Sequence, residues 1–149
     1  MVDYKLVAIH SVLEDYRLAY FINQKLQILL EKDAADIGIK ISEGETCFSR
    51  FIFDDAESEI QWNLLQNKNR VVSRQQEMSS LFEEDGMNIS TNVYLLPEFS
   101  KVDYILKVEN IDDDFAIDEL VDDLLDIKHI ATAYTIDQKK LKSKNNLIF

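Results

Sequence analysis

Leu96-Pro97-Glu98-Phe99-Ser100-Lys101-Val102-Asp103-Tyr104 is the stretch whose reading decides the architecture. It holds the only proline of the chain and lies between two apolar, strand-like runs, Asn92 to Leu96 and Tyr104 to Val108. Proline presets a turn-compatible φ and has no N–H for a ladder, so a strand is expected to end at Pro97. The expected geometry is a hairpin with Phe99-Ser100-Lys101-Val102 as its loop and Glu98 and Asp103 facing each other across the mouth. Like charges so placed cost about 0.2–1 kcal/mol unless a cation or hydrogen-bond donor sits between them. One reading is therefore a cation- or arginine-binding notch, with Arg17 from the first helix as an internal partner. The plainer reading is that both acids accept turn N–H groups while Tyr104 packs.

Upstream, Lys5 to His10 reads as a short buried strand. Ser11-Val12-Leu13-Glu14 fits a capping box, after which Val12, Tyr16, Ala19 and Tyr20 recur at helical spacing, with Leu13 widening the stripe. Glu14, Arg17, Gln24 and Lys25 make the other face, interrupted by Phe21, which suggests a cover there. The helix should end near Gln24 or Leu26, and Leu26 to Leu30 fits either more helix or a strand. Asp33 to Glu45 is polar, holds two of the three glycines and is expected to contain turns. Cys47 to Phe53 and Glu59 to Leu65 flank Asp54–Ser58 with a period of two, the pattern of a hairpin with one buried face. Residues 66–88 are polar and longer than an ordinary loop, so a mobile or binding loop is expected there. Val71-Val72 would prolong the preceding strand, and Leu81-Phe82 would clip the loop to the core.

Downstream, Asp112-Asp113-Asp114 leads into Ile117, Leu120, Val121, Leu124 and Leu125, an amphipathic helix with acids at its positive end. Ile130 to Ile136 is the last expected strand. Residues 137–149 form a tail in which Lys139, Lys140, Lys142 and Lys144 precede Leu147-Ile148-Phe149. The expected fold is α+β. A single, largely antiparallel sheet of about six to seven strands is covered by two helices, in one domain spanning residues 1–149. Tyr104 through the second helix to Ile136 can form a βαβ unit.

A net charge of −12 repels phosphate backbones and anionic lipid heads, so nucleic acid is an unsuitable partner and basic proteins, cations or peptides suit better. Cys47 is the only cysteine, which excludes an internal disulfide. The start of the chain lacks the pattern of a secretory signal, and no apolar run approaches the ~20 residues that span a bilayer. A cytoplasmic protein is expected. His10 with Asp15 or Glu14 suggests an acid–base pair, against the blander reading of an imidazole bonded to backbone at a strand end. His129 follows the second helix, where a cation complements the dipole. Neither histidine nor Cys47 falls in a metal-ligand spacing, and the aspartates around the second helix lack the order of a calcium loop. No metal or cofactor is expected, and no phosphate-binding glycine loop or nucleophile elbow is present.

The central stretch closely resembles the signature of the IPExxxVDY family, small proteins of Bacteroidota. It reads Leu96-Pro97-Glu98, three residues, then Val102-Asp103-Tyr104, with Leu in place of the first Ile. The likeness extends to Ala8-Ile9-His10-Ser11, Leu13 to Tyr20, Trp62-Asn63-Leu64 and the ending Leu141 to Phe149. The family has no assigned activity, so the resemblance implies no catalytic residue; it favours a strand for Leu26 to Leu30. Two function classes follow. The first is a non-catalytic cytoplasmic interaction or regulatory protein. It would self-associate as a homodimer and engage another cytoplasmic protein, through Phe21 and the Leu147, Ile148, Phe149 end. The alternative is a small enzyme or a small-ligand or cation-binding protein, with Glu98, Asp103, Arg17 and His10 in one cleft.

Overall fold

The computed structural model describes residues 4–41, 44–73 and 89–148. In chain order the elements are β1 (Tyr4–His10), α1 (Asp15–Leu26), β2 (Glu31–Lys32), β3 (Ile37–Ile41), β4 (Gly44–Phe48), β5 (Arg50–Asp54), β6 (Gln61–Gln66), β7 (Lys68–Ser73), β8 (Ile89–Tyr94), β9 (Tyr104–Glu109), α2 (Ile117–Leu125) and β10 (Thr132–Thr135). The fold is α+β. Six strands form one sheet in the order β10-β1-β9-β6-β5-β2, and β3-β4 and β7-β8 form two separate ladders. Every neighbouring pair of the main sheet is antiparallel. Because β9 and β10 both run antiparallel to β1, they are parallel to each other, and β9-α2-β10 is a βαβ unit split by β1.

Both faces of the sheet are buried. Val7 and Ile9 of β1, Leu106 and Val108 of β9, and Trp62 and Leu64 of β6 pack against Leu18 and Ile22 of α1 and Leu120 and Leu124 of α2. The alternate residues Leu6, Ala8, Leu65 and Ile105 turn to the other side, where Leu95, Leu96, Val102, Leu141 and Leu147 cover them. The period of two is obeyed, but apolar residues occupy both phases, and such strands must be covered twice. Two helices cover one face. The Leu96–Tyr104 stretch and the C-terminal tail cover the other.

Four expectations are corrected. The Asn92–Leu96 and Tyr104–Val108 runs do not pair: β8 pairs with β7, whereas β9 sits between β1 and β6. Leu95 and Leu96 leave β8 and bury completely on the sheet, so the stretch is a plug over the sheet and not a hairpin loop. Residues 66–88 were expected as a loop; Lys68–Ser73, with Val71 and Val72, is instead a strand of its own, and Leu81-Phe82 lies outside the described residues. The polar region from Asp33 contributes β3 and β4, so Cys47 and Phe48 belong to β4 and only Arg50–Asp54 pairs with β6 in the expected hairpin.

The fourth correction concerns α1. The capping box is absent: the helix begins at Asp15, and Ser11 Oγ accepts from Leu13 N (3.2 Å) and donates to the His129 carbonyl (2.8 Å). The inward stripe is Leu18, Ala19 and Ile22. Val12 is fully exposed, Tyr16 59% and Tyr20 58% exposed. Leu18 and Ile22 are wholly apolar and take the core, whereas a phenol keeps its hydroxyl in water at little cost. At the other end Gln27, at φ 59°, stops α1 in a left-handed cap. Ile28 and Leu30 are buried and Leu29 is exposed, an extended alternation that becomes a ladder only at Glu31–Lys32.

Candidate functional site

The Leu96–Tyr104 stretch is held by a residue outside it. Asn67, buried with no exposed surface, lies in the single-residue gap between β6 and β7. Its Nδ2 donates to the carbonyls of Phe99 (3.0 Å) and Val102 (2.8 Å), and its Oδ1 accepts from Leu96 N (2.8 Å). Its backbone N donates to Asp103 O (3.0 Å) and its carbonyl accepts from Leu95 N (2.9 Å). Pro97–Phe99 forms a 3-10 turn, and Val102 N donates to Phe99 O (3.0 Å). Buried backbone groups need partners, and a primary amide with two donors and an acceptor satisfies three at once. Sequence reading passed over Asn67 as a loop residue. The signal was weak, because an Asn-Lys-Asn cluster ordinarily marks solvent-facing turn chemistry.

Glu98 and Asp103 serve different partners. The Glu98 carboxylate accepts from the backbone N of Lys142 (2.6 Å) and Ser143 (2.8 Å) and from Ser143 Oγ (2.9 Å). Burial alone would raise its pKa; the hydrogen bonds from Lys142, Ser143 and its own backbone outweigh that and lower it. Asp103 Oδ2 accepts from Ser11 N (2.9 Å), and its Oδ1 lies 3.6 Å from Lys68 Nζ. Tyr104 Oη donates to the Leu13 carbonyl (2.6 Å), and burial pushes its phenol pKa up. The expected mouth with two facing acids is not formed, because it required the hairpin that the sheet order replaces. Neither reading of these acids is met as stated: the N–H groups they accept belong to Ser11 and to Lys142 and Ser143 of the tail, not to the turn, and Lys68 lies beside Asp103.

The remaining candidates scatter. Arg17 pairs with Glu14 on α1 (3.6 Å), both exposed, and not with either signature acid. His10 Nε2 lies 2.9 Å from Tyr134 Oη, with Tyr134 on the neighbouring strand β10, so it is paired across the ladder and not to Asp15 or Glu14. Phe21 has the cover its position implied: His129 lies over it, ring centroids 4.7 Å apart. Phe21 and His129, with Gln24, Lys25, Asp126, Ile127 and Lys128, line an open surface cleft of ≈ 390 Å³, and Lys25 is tied to Asp126 (3.3 Å).

The tail packs on its own domain. Leu141 and Leu147 are buried, Asn146 Nδ2 donates to Leu95 O (2.8 Å), and Lys107 Nζ donates to Leu147 O (2.9 Å). Leu147, expected at an interaction surface, is therefore part of the core; Ile148 is exposed, and Phe149 lies outside the described residues. Lys107, on the plugged face, also lies 3.3 Å from Glu109 and 5.0 Å from the Tyr4 ring centroid. Asn63 Nδ2 donates to Glu109 (3.1 Å), and Arg50 joins Asn63 to Asp33 (3.1 and 3.0 Å). Lys107 is the buried charge of this row and is bonded internally, as buried charge must be, while Arg50, Asp33 and Glu109 are half-buried.

Among the described residues, no three His, Cys, Asp or Glu side chains converge as metal ligands would, and no helix is long and apolar enough to cross a membrane. No protein-family model, curated protein or solved structure matches the chain.

What the structure leaves facing outward is α1. Four of the seven large apolar side chains exposed among the described residues, Val12, Tyr16, Tyr20 and Leu29, lie on this helix or its flanks. Tyr16, Tyr20 and Gln24 follow one another at a spacing of four, which sets them on one ridge, with Gln24 Nε2 3.5 Å from Tyr20 Oη. Val12 and Leu29 lie outside α1 itself, so the exposed apolar surface of the helix is the pair Tyr16 and Tyr20.

Proposed function

We propose that the chain is a non-catalytic cytoplasmic protein-interaction protein and that the outward ridge of α1 is its docking surface. The observation that carries this reading is the exposure of Tyr16 and Tyr20 on a helix whose core-facing side is already satisfied by Leu18, Ala19 and Ile22. Tyrosine is a suitable contact residue, since it offers a large rigid apolar area with a polar end and few rotamers to freeze. The Glu98–Asp103 chemistry does not compete with this reading, because both carboxylates are engaged by backbone N–H groups. Kinship with the IPExxxVDY family belongs to the same proposal. The signature Leu96-Pro97-Glu98…Val102-Asp103-Tyr104 would then mark a shared folding device, the plug on the sheet, and the docking ridge would lie elsewhere.

The test is capture by tagged full-length protein, comparing wild type with Tyr16→Ser/Tyr20→Ser, after circular dichroism establishes that both are folded. Binding of a discrete partner, whether foreign or a second copy, that disappears with the double substitution supports the reading. Equal capture by both proteins sinks it.

A further inference from the structure

The second face of the sheet has two covers, and they are fastened differently. The plug is tied through main chain. Asp103 N donates to the Ile9 carbonyl (3.2 Å), Asn67 N to the Asp103 carbonyl (3.0 Å) and Leu95 N to the Asn67 carbonyl (2.9 Å). The tail is not. Ile136 N donates to the Leu6 carbonyl (2.9 Å); beyond it, among the described residues, the backbone–backbone bonds of the tail stay within the tail. They run from Lys140 N to Asp137 O, Leu141 N to Gln138 O, Asn146 N to Ser143 O and Ile148 N to Asn145 O. Among the described residues, each hydrogen bond from the tail to the rest of the domain has a side chain at one end. Gln138 Nε2 donates to the Tyr4 carbonyl (2.6 Å), Asn146 Nδ2 to the Leu95 carbonyl (2.8 Å) and Lys107 Nζ to the Leu147 carbonyl (2.9 Å). The Glu98 carboxylate takes Lys142 N, Ser143 N and Ser143 Oγ.

We infer that residues 137–148 are a detachable strap, latched by Glu98 on Ser143, which opens as a unit while the sheet, the plug and both helices stay folded. This goes beyond the interaction role proposed for α1 and does not depend on it. Segments with few buried apolar contacts and little backbone pairing to their surroundings open locally at low free energy. The tail fits that description. Its only regular structure is two 3-10 turns, Gln138–Lys140 and Lys144–Leu147, and its buried anchors are Leu141 and Leu147. Ser143 lies between the two anchors, so release of the latch loosens both. Opening breaks no ladder, and the carbonyls of Tyr4 and Leu95 and the Glu98 carboxylate meet water as the tail leaves, so no buried polar group is orphaned. Lys107 keeps Glu109, 3.3 Å away. The second face is therefore covered in every state by the plug and conditionally by the tail. With the strap off, Leu141 and Leu147 leave the cluster they share with Leu6, Leu65 and Ile105.

Native-state hydrogen exchange of the full chain, read residue by residue across low urea concentrations, tests the inference. The amides of Ser143 and Asn146 report the strap, Leu96 N on Asn67 Oδ1 reports the plug, and the amides of β9, paired on both sides, report the sheet. Relative to unfolded-chain rates, strap amides should exchange about tenfold faster than those of β9, or more. Their rates should hardly respond to urea, because a small opening exposes little surface. Leu96 should follow β9. Ser143→Ala removes one charge-assisted bond from the latch and should speed strap exchange roughly tenfold. Ile22→Ala destabilises the closed and the strap-open states alike, so it should speed β9 and leave the strap rates unchanged. A strap that shares the rate and urea dependence of β9 overturns the inference, as does one that follows β9 in Ile22→Ala. The wild-type urea dependence decides even where Ile22→Ala does not fold. Leu96 exchanging with the strap would overturn the division between plug and tail, and strap rates indifferent to Ser143→Ala would overturn the latch.

Discussion

Glu98 accepts both the backbone N–H (2.8 Å) and the hydroxyl (2.9 Å) of Ser143, forty-five residues further along the chain. This contact fastens the C-terminal tail to the Pro97 turn, and with it the cover over the second face of the sheet.

Replacing Glu98 by Gln keeps an acceptor but removes the charge, so about 1–2 kcal/mol of stability should be lost at neutral pH. The loss should depend on pH with a defined sign. The folded pKa is depressed, so the stabilisation is complete above the unfolded carboxyl value of about 4.3 and disappears as pH falls through the lower folded value. Urea melts of wild type and Glu98→Gln should therefore converge in acid. Trypsin should cut after Lys142 faster in the variant at neutral pH.

Asn67 makes two donations and one acceptance with its side chain, all to backbone of the plug. Asn67→Ala leaves those groups buried without partners and should cost about 3 kcal/mol or more. Asn67→Asp should be worse at neutral pH, because a carboxylate would face the carbonyls of Phe99 and Val102. Burial raises the pKa of such a carboxyl, so the excess cost should shrink as pH falls through that raised value. Equal stability of the Ala and Asp variants across pH would contradict this account of the site.

Tyr104 Oη is the partner of the buried Leu13 carbonyl. Tyr104→Phe conserves the ring and should cost about 1–3 kcal/mol, the penalty of an unsatisfied buried acceptor. Hydrogen exchange should show the loss concentrated in the Ser11–Asp15 connection. Uniform loosening of the whole sheet would point to a packing role for the hydroxyl instead.

The orientation of α1 is directly measurable. Ile22→Ala should cost about 2–5 kcal/mol, whereas Val12→Ser, at a fully exposed position, should stay within about 0.5 kcal/mol. The opposite ranking, by chemical denaturation, would restore the stripe expected from spacing alone.

Residue periodicity was enough to find β1, β5, β6, β9, α2 and the α+β class, since each carries its own local pattern. It placed the face of α1 only in part: Leu13 and Ala19 are buried as expected, but Val12, Tyr16 and Tyr20, which recur as regularly as Leu18 and Ile22, are exposed. Spacing cannot say which of two apolar stripes meets the core when both are present. The candidate site divided similarly. Glu98, Asp103 and Tyr104 stood out by type, but their partners Ser143, Ser11 and Leu13 lie 45 to 92 residues away in the chain, and Asn67, which holds Leu96, lies 29 away. No local rule couples such positions.

The sequence by itself determined the acidic charge, the lack of an internal disulfide, the two amphipathic helical segments and the strands with apolar residues in both phases. The strand order was decided only in three dimensions. β9 completes its hydrogen bonds between β1 and β6, and Leu95 and Leu96 cannot remain in a hairpin once the second face of the sheet needs covering. The sheet's demand for two covers is a global one. It turned a stretch that reads as a hairpin mouth into a plug, folded the tail over its own domain, and left Tyr16 and Tyr20 of α1 more than half exposed.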